Sequence, residues 1–123
     1  MKFALMTFEN EESKRHIREH RDDHRSRIAA WLAETARSGK LVGGEAFETE
    51  KTAAVTVRHN ADGVVTVLEG AATGGETVGG YLLVDVADRA EAVELAKSWP
   101  TPETIEIRPI WQGDEADDLP RAR

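Results

Sequence analysis

The chain contains no cysteine, which excludes disulfide bridges and thiolate metal sites from the outset. It is also short of positive charge: 16 Lys and Arg stand against 23 Asp and Glu, a formal charge of −7. That balance repels a phosphate backbone, so nucleic acid is not an expected partner. Long apolar runs are missing as well. "MKFALMTFENEE" turns acidic after one short apolar stretch, the pattern of neither a signal peptide nor a membrane span, and the expectation is a soluble, cytoplasmic protein with no membrane contact. No internal repeat is present. A chain of 123 residues fits one domain with a modest core. We assign that domain to residues 1–112. Residues 113–123, "GDEADDLPRAR", have too little apolar content to fold and read as an acidic, disordered tail.

What is present patterns into alternating strands and helices. "KFALMTF" (2–8) has strand length. Asn10 is a good N-cap, Glu11 and Glu12 suit a first helical turn, and the helical pattern runs to Ser38, where Gly39 is a natural terminator. So long a helix in so small a domain invites a break near Asp22–Asp23. Strands follow at 40–48, 52–59 and 64–69, the last two joined by the turn "NADG". "GAATGGETVGG" (70–80) reads as a mobile lid or extended hairpin. It lacks the GK[ST] ending of a P-loop. A strand at 81–87, a helix from 89 to 98 capped by Asp88, and a closing strand at 104–111 complete the order, with Pro109 marking an edge position or strand end.

This order predicts an α+β fold: a ferredoxin-like split βαβ sandwich with an added β-hairpin. Its helices can cover only one face of the sheet, yet the first and fifth strands are apolar on both sides (Phe3 and Leu5 against Ala4, Met6 and Phe8). A second copy packed sheet to sheet is the simplest cover, so a homodimer is expected.

Chemistry-bearing residues concentrate on the long helix. "HIREHRDDH" spaces His16, His20 and His24 four residues apart, which places neighbouring imidazoles on one face. His24 shares a stripe with Ile17, Ile28, Trp31 and Thr35. Zinc would need further ligands, and the Glu of a metalloprotease HExxH is absent. We therefore expect a polar, cleft-side extension of the helix stripe, with no metal and no cofactor. The interleaved charges around Arg21 fit either a solvated face or contact with an anionic ligand. Trp31 either stacks a ligand or fills the core. Glu45 follows two glycines and is either a cleft carboxylate or a surface residue after a strand bulge. Glu69 ends a strand and opens the glycine-rich loop, a common place for a functional carboxylate. His59 precedes a turn and reads as exposed.

At "SGKLVGGEAF", "GGYLLVDVADRAEAVELA" and "IEIRPIW" the chain resembles the YCII-related family, particularly its DGPF-motif branch, over about residues 2–111. The resemblance implies a dimeric α+β barrel with a cleft between the sheet and the first helix. Most members have no assigned reaction, a few are linked to small-molecule catalysis, and others sit beside alternative sigma factors. The DGPF position reads Glu69-Gly70-Ala71-Ala72 here, which retains a carboxylate and loses the proline and phenylalanine. The position of the YCII active-site histidine falls on Ile28, with His24 one turn earlier.

Two functions from different classes follow. One is a small dimeric acid–base enzyme of lyase, isomerase or hydrolase type in specialised metabolism, using His24 with Glu69 or Glu45 on a small organic substrate bound with the help of His20, Arg21 and Trp31. The other is a non-catalytic ligand-binding or sigma-factor-associated accessory protein.

Overall fold

A computed structural model describes residues 1–72 and 74–111; the tail expected at 113–123 lies outside the described residues. The elements run β1 (Lys2–Glu9), α1 (Glu11–Glu19), α2 (Arg21–Arg37), β2 (Leu41–Ala46), β3 (Val55–His59), β4 (Val65–Glu69), β5 (Thr77–Asp85), α3 (Arg89–Lys97) and β6 (Thr104–Pro109). Four strands form an antiparallel sheet in the order β2-β5-β1-β6, and β3 pairs with β4 in a separate ribbon. The fold is α+β and ferredoxin-like, with β5 inserted between β1 and β2. Pro109 falls at the end of edge strand β6, where its missing N–H disturbs no inner ladder.

Local chemistry sets the helix ends. Asn10 Oδ1 accepts from the Ser13 N–H and Ser13 Oγ accepts from the Asn10 N–H, both at 2.9 Å, a reciprocal capping box. The single helix expected over 11–38 is two helices, and the break lies at His20, whose φ of −128° and ψ of 40° leave the helical region. It comes just before the Asp22–Asp23 pair. Starting a new helix at Arg21 puts both carboxylates in a first turn, where the dipole favours them. At the far end Gly39 takes φ +78°. Its N–H bonds to the Ala36 carbonyl, and Lys40 N–H bonds to Thr35, a Schellman closure. Asp88 caps α3 by accepting from the Glu91 N–H at 2.9 Å.

The segment 77–80, expected within a loop, is instead the start of β5. Thr77, Val78 and Gly80 pair with Glu9, Phe8 and Thr7, with a bulge at Gly79. Glycine suits this stretch because neighbouring chains approach it closely. A Cβ at Gly79 would lie 2.5 Å from Glu9 Oε1, and one at Gly80 would lie 2.6 Å from the Glu45 carbonyl oxygen.

The core is Phe3, Leu5, Trp31, Val84, Val86 and Ala92, between the helices and one sheet face. Registers Phe3↔Val84 and Leu5↔Leu82 put those side chains on the same side. Ala4 and Met6 alternate with them and are only half-buried.

Candidate functional site

Along β1 the helix-facing positions run Phe3, Leu5, Thr7, Glu9, and the first three are buried. Period-2 alternation thus carries the apolar core into a polar end. There, between α2 and the β2–β5–β1 half of the sheet, lies a cleft of about 450 Å³. Ile28 and Leu32 of α2 and Leu41 and Leu82 of the sheet supply apolar walls, and Gly43, Gly44, Gly79 and Gly80 line it from the strands. The aromatic residues on it are Phe47, Tyr81 and Trp99; Phe47 and Tyr81 meet at a ring distance of 6.0 Å.

Four titratable side chains join this lining besides Tyr81: Glu9, His24, Glu45 and Glu103. Glu9 ends β1, His24 lies in the first turns of α2, Glu45 is on β2, and Glu103 is in the short turn before β6. His24 Nε2 lies 3.5 Å from Glu103 Oε1, too long for a good hydrogen bond. That nitrogen is shielded from solvent and has no hydrogen-bond partner among the described residues. Glu103 is 5 % exposed at its side chain. Its Oε1 accepts from the Trp99 indole N–H at 3.2 Å and from the Thr101 hydroxyl. Glu9 Oε2 accepts from the Thr49 hydroxyl at 3.1 Å. Burial lifts the Glu9 carboxyl above its ordinary value and the nearby Glu103 charge adds to this. The Thr49 hydrogen bond and the charges of Lys14 and His24 pull the other way without cancelling it.

The remaining residues singled out in the sequence are placed as follows. His16 and His20 are exposed and stack on each other at 4.3 Å, and His20 Nδ1 lies 2.9 Å from the His16 carbonyl oxygen. With His24, Asp23 and Arg27 they border a smaller cavity against the Pro100–Pro102 turn, so His24 stands between this cavity and the cleft. Among the described residues no three His, Asp or Glu side chains are grouped to hold a metal ion. Arg21 lies outside the cleft lining and meets Glu50 at 3.8 Å, beside Arg18 at 3.9 Å. Trp31 is a core residue: it meets Trp99 edge-on at 5.0 Å and donates to Ser98 Oγ at 2.8 Å. Glu45 lines the cleft and remains exposed beyond the β2 bulge. Glu69 is exposed on the β3–β4 ribbon and does not line the cleft. His59 is exposed at the end of β3.

Glu9 and Glu103 were not legible as site residues. For Glu9 the available signal was the alternation of β1, had the strand been carried one residue further. For Glu103, in "TPETIEI", no local pattern marks a functional carboxylate.

The model of the YCII-related domain matches residues 1–113. The chain belongs to the YCII-related family. No curated protein matches it. In this YCII-related domain the wall position Ile28 and the site position His24 lie one helical turn apart, both on the cleft. None of its described helices is long and apolar enough to cross a membrane.

Proposed function

We propose that this YCII-related domain binds a small organic molecule in the cleft and transfers a proton on it. His24 is the proton-transfer group, and Glu9 and Glu103 are the carboxylates that set its charge and orientation. Glu45 stands at the same cleft as a further acid–base candidate. The observation that carries this reading is the shielded, unpartnered His24 Nε2. An unmet buried polar atom costs about 1–3 kcal/mol; Nε2 is closed to solvent in the unliganded protein, so a turn of the imidazole is what would bring it to a partner on a ligand in the cleft. Imidazole transfers protons readily near neutral pH. The Glu9 carboxyl, held above its ordinary value by burial, keeps its proton to a higher pH than a surface glutamate does.

The test is solvent-deuterium incorporation into a panel of small carbonyl compounds, followed by NMR. We expect at least one compound to exchange under catalysis by the wild-type protein and His24→Ala to slow that exchange about 10²–10⁴-fold with little change in melting temperature. His16→Ala, on the exposed ring pair, should leave it unchanged. A His24→Ala protein that exchanges the same compound at the wild-type rate would exclude the assignment.

A non-catalytic binding or sigma-factor-associated accessory role is favoured by one observation. Glu69-Gly70-Ala71-Ala72, the counterpart of the DGPF turn in the branch this chain resembles, contributes no side chain to the cleft. Absence of exchange on every compound tried, with small molecules still binding, would select that reading.

We further propose a homodimer built on the open sheet face. Ala4 and Met6 lie on that face only half-covered, and burying apolar sheet area stabilises by about 25 cal/mol per Å². Light scattering at micromolar concentration should report twice the chain mass; a monomer there would exclude this assembly.

A further inference from the structure

Apart from His24, the charged side chains lining the cleft are carboxylates. Glu9, Glu45 and Glu103 line it, together with His24, and no lysine or arginine does so. Most neighbouring cations are engaged elsewhere, Arg18 and Arg21 on Glu50, Arg27 on Asp23 at 2.9 Å, and Lys40 on Glu91 at 3.1 Å, while Lys14 acts on Glu9 from outside the lining. A ligand carboxylate or phosphate would face three glutamates with no lysine or arginine on the lining to offset them, which is unfavourable.

Acceptor atoms, by contrast, are left over. Both donors that reach Glu103 converge on its Oε1, and the donor that reaches Glu9 takes its Oε2. No donor among the described residues occupies Glu103 Oε2 or Glu9 Oε1. The walls that accompany these carboxylates are aliphatic and aromatic, and aromatic faces attract cations. We infer that the cleft selects a small molecule carrying a protonated amine on an apolar or aromatic body, the ammonium group sitting between Glu9 and Glu103. The inference rests on the cleft being the ligand site of the proposed function. The raised Glu9 carboxyl agrees with it: burial and the facing Glu103 charge disfavour its ionised form, and a bound cation would reverse that direction.

Three probes of nearly equal shape separate the possibilities: 2-phenylethylammonium, 2-phenylethanol and phenylacetate. Each is titrated into ¹⁵N-labelled protein while the Trp99 indole N–H and the Gly79 and Gly80 amides are followed. We expect the ammonium probe to bind about tenfold or more tightly than the alcohol, the scale of one charge-assisted contact, and phenylacetate to bind most weakly. Glu9→Gln, combined with Glu103→Gln where the double variant folds, should bring the ammonium-to-alcohol ratio to within about twofold. The wild-type ranking needs no variant. Phenylacetate binding as tightly as the ammonium probe would overturn the charge selectivity, as would an ammonium probe no tighter than the alcohol; in both cases shifts at the cleft signals would leave the cleft itself as the binding site. If none of the three probes moves those signals, the cleft reading falls together with the inference.

Discussion

Replacing Trp31 with alanine should cost the fold about 3–5 kcal/mol, a large share of the roughly 5–15 kcal/mol that holds a domain of this size together. Trp31 is buried in the core, its ring packs edge-on against Trp99, and its indole N–H is satisfied by Ser98 at the C-cap of α3. Truncation removes core volume, the ring pair and the partner of the Ser98 hydroxyl in one step. The consequence extends to the cleft, because Trp99 is also the residue that donates to Glu103. Urea unfolding measures the loss directly. Trp31→Phe should lose less, since it keeps most of the ring volume and gives up only the indole N–H. A loss below about 1 kcal/mol for Trp31→Ala would mean that the tryptophan is not a core residue, and its alternative role of stacking a ligand would return.

The second large effect is expected at Gly44. Its φ is +153°, and an added Cβ would stand 2.4 Å from the Tyr81 carbonyl oxygen and 3.0 Å from Leu82 Cα. Both obstacles are backbone atoms of the paired strand, so relief requires β2 to move away from β5. Gly44→Ala should therefore destabilise by about 2–4 kcal/mol, the combined scale of backbone strain and overpacking. It should also distort the cleft, which Gly44 lines. Gly43→Ala is the matched control. A Cβ there meets nothing within 4 Å, and the change should be small. Thermal melts of the two variants decide the matter: equal stabilities would show that the close β2–β5 approach at Gly44 does not exist.

The ferredoxin-like order was legible because each element carries its own signal. Asn10, Gly39 and Asp88 cap where capping chemistry says they should, and the turn at 60–63 closes with the Gly63 N–H on the Asn60 carbonyl and φ +89° at Gly63. The helix break was legible in kind, though it falls at His20, because the first-turn preference of Asp22 and Asp23 acts on residues before them. The loop assigned to 70–80 is the instructive error. Glycine is a poor strand former taken alone, and nothing within "TVGGY" reveals that Gly79 lies beside the Glu9 carboxylate and Gly80 against the Glu45 backbone, where a side chain would not fit.

The sequence by itself determined the class of fold, the helix caps, the ribbon and the place of His24 on the inward stripe of its helix. Those features are governed by hydrogen bonds and apolar spacing within a few residues of each position. Only the tertiary structure decided that His24 lies beside Glu103 and shares the cleft with Glu9 and not Glu69, and that Trp31 lies in the core while Trp99 reaches the cleft. The site is assembled from the end of one strand, one turn of a helix and a short loop near the last strand, and strand order and register bring them together. Those are set by long-range pairing of β1 with β5 and β6, about which no local stretch of the chain carries information.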